Sequence, residues 1–361
     1  MMIPRLVSIL AIAAVVSSCG GSTPAPQPAP APAASTQNTC APAGNLQFVC
    51  GLQAAEDLVV VPSTRFLMAS GMQPGSGFHL VDTQAKTAQA LPFSARPDTT
   101  RFPACPSPLD PAVAVLHGLS LRGDANGHYT LYATNHGGRE SIEVFDVDAT
   151  AAIPAAAWIG CVVLPDPLSA NSVAAFTDGT IVATVLTMPG KGFPDIFAGR
   201  PTGIVLMWTP GSAAFRQLPG TELAGNNGIE TSPDDREFYV AASGSKRVVA
   251  FSRANPSVPL RTAQLAEAAP DNVRFVGSEL WAAGMIDEEA ACGGAPKKPE
   301  DIQCPRGYLV SAVNPQTMAV REVARGPRAE PYGGTATGVQ VGNELWLSSF
   351  NGDRIAYRML P

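Results

Sequence analysis

The chain is 361 residues long, 45% hydrophobic and 15% charged, with a formal net charge of −6. That is enough length and apolar content for one large domain or two ordinary ones with a real core, and the acidic balance excludes binding to nucleic-acid phosphates. Its 34 glycines and 34 prolines favour turns and linkers over long helices.

The N-terminus reads as an export signal, with Arg5 followed by a short apolar stretch over residues 6–16. Beyond the first 20 residues no apolar run is long enough to span a bilayer. The signal ends in Val16-Ser17-Ser18-Cys19, the pattern of a bacterial lipoprotein box in which Cys19 receives the lipid. Gly20 follows in place of the aspartate of an inner-membrane retention signal, which favours the outer membrane, with the domain facing the periplasm or the cell surface. A Pro-Ala tether comes next, extended and unable to pack. The expected organisation is a signal peptide over 1–18, a lipidated linker over 19–44 and a folded domain over 45–361, touching the membrane through the lipid alone.

From there one pattern recurs. A polar residue opens a short alternating strand, a turn follows, and a second apolar strand ends in small residues. The openings are Glu56-Asp57, His117-Gly118, Asn171-Ser172, Asn227-Gly228, Asp271-Asn272 and Thr337-Gly338, and the second strands read RFLMASG, TLYATNH, TIVATVL, EFYVAAS, ELWAAG and ELWLSSF. Turn signals such as Asp178-Gly179, Gly277-Ser278 and Gly342-Asn343 separate the two. Four-stranded units repeating on the order of every 40–50 residues specify a β-propeller, and six copies predict an all-β, six-bladed one. A β-sandwich would not repeat one register six times.

In a propeller the innermost strands line a central channel, so Glu56, His117, Asn171, Asn227, Asp271 and Thr337 are expected to converge on the axis. None is apolar, and burying such groups without a partner is costly. A hard cation resolves the conflict, because calcium takes six to eight oxygen ligands. Glu56 and Asp271 would supply two charges, and Asn272 a further amide oxygen. The four histidines, His79, His117, His128 and His136, lack zinc-like spacing. Apart from Cys19, the cysteines are Cys40, Cys50, Cys105, Cys161, Cys292 and Cys304. An even set in an exported chain suggests disulfides. Cys40–Cys50 and Cys292–Cys304 would close short loops and leave Cys105–Cys161, although sequence alone permits other connectivities.

From about Thr39 onward the chain resembles the paraoxonases, calcium-dependent lactonases and arylesterases within the broader group of senescence marker protein-30 and gluconolactonase propellers. The motifs are AEDLVVVP at 55–62, HGLSL at 117–121, TLYATNHGGRESIEVFDV at 130–147, NNGIETSPD at 226–234, PDN at 270–272 and GTATGVQVGNELWLSSF at 334–350. The resemblance implies a catalytic calcium held by Glu56, Asn171, Asn227, Asp271 and Asn272, and a histidine dyad of His117 and His136. It implies a second, structural calcium through Asp57, but Ser172 stands where the family has an aspartate, so that site is expected to be weak. The family ties its first cysteine to a C-terminal one. This chain has none after Cys304, which leaves Cys50 as the nearest partner for Cys40. Loops 188–203 and 287–306 match no family motif.

The resulting expectation is a calcium-dependent hydrolase of lactones or aryl esters. Calcium would polarise the carbonyl, His117 would deprotonate a water, and His136 would orient or relay. No GxSxG elbow supports a serine nucleophile. The alternatives are a non-catalytic propeller lipoprotein stabilised by calcium and a gluconolactonase-type sugar lactonase. A sugar site calls for more polar loops than MPGKGFPDIF offers.

Overall fold

The computed structural model describes residues 40–123 and 126–360. The signal segment, Cys19 and most of the tether lie outside the described residues. The packed unit begins at Cys40, and residues 40–44 join it through the Cys40–Cys50 disulfide and a bridge between Ala43 and Leu46.

The chain folds into six sheets in the order read from the repeats, a six-bladed β-propeller. Blade 1 contains Leu58–Val60, Phe66–Ala69, Phe78–Asp82 and Thr87–Leu91. Blade 2 opens with Leu116–Gly123 and His128–Asn135, blade 3 with Val173–Ala175 and Ile181–Val185, and blade 4 with Asn226–Thr231 and Glu237–Ala242. Blade 5 opens with Ala268–Val276 and Glu279–Ile286, and blade 6 with Thr335–Val341 and Glu344–Ser349. Second strands such as Phe66–Ala69 and Ile181–Val185 are buried throughout, because each is sandwiched between neighbouring blades on both faces. Outer strands such as Thr87–Leu91 and Pro259–Gln264 are largely exposed and carry the polar residues.

Closure uses both ends of the described chain. Blade 6 takes its outermost strand from Gln47–Cys50, which pairs antiparallel with Arg354–Met359 in the register Gln47 to Tyr357 and Cys50 to Arg354. The pairing covers an edge that would otherwise be open, and the disulfide from Cys50 to Cys40 secures it. Cys105–Cys161 and Cys292–Cys304 are also bonded. Blade 2 gains a fifth strand, Phe93–Ala95, parallel to Ala155–Val163.

Phe48 is the main apolar anchor of the closing strand, 6% exposed and stacked on Tyr332 at 5.9 Å between ring centroids. Phe48→Ala should therefore cost about 3–5 kcal/mol in urea unfolding, with secondary structure retained. A loss under about 1 kcal/mol would mean that this strand does not hold the ring shut.

Candidate metal and hydrolytic site

The inner strands of four blades carry the same irregularity. Register slips between Leu116 and Leu119, Asn226 and Ile229, Pro270 and Val273, and Thr335 and Gly338. Two residues on the inner strand therefore oppose one on its partner, a bulge that breaks the ladder and re-aims a side chain. The bulged pairs are His117-Gly118, Asn227-Gly228, Asp271-Asn272 and Ala336-Thr337. Thr337 thus falls one position later than its expected alignment with His117 and Asp271. It does not join the ring, and its hydroxyl instead donates to Asp57 Oδ1 at 2.7 Å.

Two glycines let neighbouring bulges touch. A Cβ on Gly118 would lie 2.6 Å from Ser172 Cα and 2.9 Å from Asn171 O, and one on Gly228 would lie 2.5 Å from Asn272 Cα. Contacts then run from blade to blade around the axis. Asn272 Nδ2 donates to Glu56 Oε1 at 2.7 Å, and Asn227 donates to the Asp271 carboxylate and, at 3.0 Å, to Ser243 Oγ. Thr184 Oγ1 donates to Asn227 O at 2.5 Å, and His117 Nε2 stands 3.6 Å from Glu56 Oε2.

These bonds consume amide nitrogens and leave oxygens. Glu56 Oε2, Asn171 Oδ1, Asn227 Oδ1 and Asn272 Oδ1 are all buried with no hydrogen-bond partner. They belong to four of the five residues expected to hold the catalytic calcium, and the fifth, Asp271, sits among them. Among the described residues no group of three or more His, Cys, Asp or Glu is arranged to hold a metal. The donors of the ring are two carboxylates and amide oxygens, a set that fits a hard cation and not zinc.

Burial, followed by the charges of Asp57 and Asp271, pushes the Glu56 carboxyl well above its ordinary range. Burial and the charge of Asp57 push Asp271 up to about 7, against the hydrogen bond from Asn227. Asp57 is also raised by burial, with Arg274 opposing the shift.

The two histidines meet. His117 Nδ1 lies 3.0 Å from His136 Nε2, and His136 Nδ1 lies 2.9 Å from Glu140 Oε2 and 3.2 Å from Ser169 Oγ. With the Glu140 carboxyl oxygen accepting a hydrogen bond from His136 Nδ1–H, His136 Nε2 is left to accept from His117 Nδ1. His117 Nε2 then presents its lone pair to the ring. Burial and the neighbouring His136 lower His117 to about 3, so it is neutral at pH 7. Sequence reasoning missed Glu140 and Ser169. Glu140 stands in the quoted motif four residues after His136, but only the turn between them brings it back to the ring nitrogen.

Asp57 is engaged differently from the ring oxygens. Its oxygens accept from Leu58 N at 2.8 Å, Leu119 N at 2.7 Å, the Thr337 hydroxyl and the Arg274 guanidinium. The other two histidines stay apart from the site, with His79 buried in the third strand of blade 1 and His128 exposed.

A cavity of about 340 Å3 opens onto Asn227 and Asp271. Its apolar walls are Leu186, Phe193, Ile196, Phe197, Met285, Ile302 and Phe350, and its charged pair, Lys246 and Asp287, is self-paired at 2.8 Å. The two unmatched loops supply much of this wall, one through the short helix Phe193–Phe197 and the other through the segment closed by Cys292–Cys304. A wider depression of about 1010 Å3 lies over outer turns such as Ser63–Phe66 and Ala149–Ala152 and is lined by none of the partnerless oxygens.

No protein-family model matches the chain, and no curated protein matches it by sequence. Solved structures are similar in fold. A calcium-binding protein, regucalcin, from Agrobacterium tumefaciens aligns with a TM-score of 0.50 at 12% identity, covering 88% of this chain and 94% of that one. A luciferin-regenerating enzyme aligns at 0.49 and 13% identity, covering 89% and 92%. The PQQ-bound aldose sugar dehydrogenase of Streptomyces coelicolor aligns at 0.49 and 13%, covering 89% and 100%. At such identities the likeness speaks for the fold alone. It shows a β-propeller fold, whereas the paraoxonase resemblance rests on the motif residues.

The raised carboxyls set a pH dependence. An acid whose folded value is raised binds more protons folded than unfolded, so stability falls as pH rises between the two values. Chelated protein should therefore lose thermal stability between its ordinary carboxylate range near 4 and about 7, the value for Asp271. A cation needs the ionised forms, so calcium affinity should rise across the same window in titrations from pH 5 to 8. Affinity independent of pH would remove Asp271 from the donor set.

Proposed function

We propose that the protein is a calcium-dependent hydrolase of lactones or aryl esters. The observation that carries this reading is the cluster of partnerless oxygens on Glu56, Asn171, Asn227 and Asn272 beside Asp271 and the His117–His136 pair. The regucalcin of similar fold is itself a calcium-binding protein. Apolar walls on the adjoining cavity favour an acyl or aryl group over a sugar.

Glu56, Asn171, Asn227, Asp271 and Asn272 would hold the ion, with Ser243 and Glu56 Oε1 fixing the amides so that their oxygens face it. When bound, calcium supplies Lewis-acid polarisation of a carbonyl and makes a nearby water more acidic. The second effect matters, because the depressed His117 is a weak acceptor toward ordinary water. His117 Nε2 takes the proton of the attacking water. His136 holds His117 Nδ1 in its protonated tautomer, Glu140 holds His136, and the apolar walls keep bulk water from the reacting ester.

The test is hydrolysis of γ-lactones, acyl-homoserine lactones and phenyl acetate with and without chelator. Asp271→Ala should lose calcium and activity together. His117→Gln should keep calcium and lower kcat by about two to four orders of magnitude, with KM little changed. A His117→Gln variant at the parent rate would eliminate the base role. A parent that binds calcium and hydrolyses nothing on the panel would favour a binding or scaffolding propeller.

The reading extends to location. Cys19 would anchor the chain to the outer membrane through lipid, with the Pro-Ala tether as spacer. Cys19→Ala should move the protein from the membrane to the soluble fraction without altering its melting temperature, and continued sedimentation with outer membranes would refute the anchor.

A further inference from the structure

We propose that Arg274 is a built-in cation, whose guanidinium fills an oxygen cage on the channel axis that would otherwise take a second divalent ion. The side chain is 7% exposed and comes from the inner strand of blade 5, two residues beyond the Asp271-Asn272 bulge. It donates to the Asp57 carboxylate, to Leu119 O at 2.7 Å and to Val273 O at 2.8 Å. Those acceptors are a carboxylate and two backbone carbonyls, the ligand chemistry of a hard cation. Ser172 Oγ, buried and without a partner, lies against Gly118, next to Leu119.

The second calcium implied by the family resemblance does not fit as the chain stands. A carboxylate offers about four lone-pair sites, and those of Asp57 are taken by Leu58 N, Leu119 N, Thr337 and Arg274. Ser172 supplies no charge where the family has an aspartate. The guanidinium brings one positive charge into a cage that keeps one carboxylate, so the charge balances without a metal. The ring formed by Glu56, Asp271 and the amides would then be the one metal site among the described residues. This inference concerns the cage below that ring and does not depend on hydrolysis.

The experiment uses the full chain, extensively dialysed, with calcium as the probe. The parent should retain no more than one ion, and Arg274→Met should bind one more than the parent. In chelator, Arg274→Met should melt on the order of 5–10 °C lower, and millimolar calcium should restore most of that loss. The double variant Asp57→Asn/Arg274→Met, which removes the buried charge together with its partner, should lose the extra ion and the extra calcium dependence. Two tightly held ions in the parent would overturn the proposal, as would an Arg274→Met variant with the parent's stoichiometry and a deficit that calcium does not touch. Failure of Arg274→Met to fold even in calcium would also overturn it, whether or not the double variant folds. A parent that binds no calcium would refute the metal ring above, while the difference between parent and Arg274→Met would still read the cage.

Discussion

Charge balance on the propeller axis is the constraint from which the rest of the molecule follows. Glu56 and Asp57 are buried with the partly buried Asp271 beside them, and the charged partner set against them is Arg274. Three carboxylates against one guanidinium leave two negative charges. Burying them uncompensated would cost many kcal/mol. Two outcomes relieve the excess, uptake of protons or uptake of one divalent cation. The upward shifts of Glu56 and Asp271 express the first, and the partnerless oxygens around them would serve the second.

The scaffold concentrates these groups by a device used repeatedly. A regular inner strand would alternate its side chains between the faces of the blade and aim none of them along the axis. A two-for-one bulge at the start of the strand turns that residue out of the ladder. Hydroxyls satisfy backbone N–H groups at the openings of several blades, bulged or not. Ser70 Oγ accepts from Asp57 N, Thr184 Oγ1 from Ser172 N and Ser348 Oγ from Thr337 N. Small or hydroxyl-bearing residues near the ends of the second strands, which in the sequence look like mere strand termini, are thus the partners of the backbone where the blades open.

Legibility in the sequence followed the same physics. The blades were readable because each apolar strand pair sits in its own alternating pattern, and the ring because polar residues recur at one register. Thr337 was misplaced by one residue because a bulge shifts the count without changing composition. Arg274 stood in plain view within Val-Arg-Phe-Val, a charge in an apolar inner strand, yet nothing local says that it crosses the channel to Asp57. Gln47–Cys50 could not be assigned to blade 6 from its own residues, since its partner lies some three hundred positions away in the chain. The cavity walls come from loops without periodicity, where composition hinted at an apolar site but could not supply its shape.

The cavity and the ring reinforce one another through the dielectric. Leu186, Phe193, Phe197, Met285 and Phe350 offer no hydrogen bonds, so they cannot replace the water they displace. Lys246 and Asp287 are paired with each other and bring almost no net charge to the cavity. A carbonyl group seated there therefore meets the field of the ring almost unscreened, where electrostatic stabilisation is stronger than in water. Burial likewise depresses His117 and raises Asp271. Weak basicity in the histidine and reluctant ionisation in the carboxylate are thus one consequence of burial, and a divalent ion in the ring would answer both. Such an ion would favour the ionised form of Asp271 and would make a nearby water more acidic, within reach of His117.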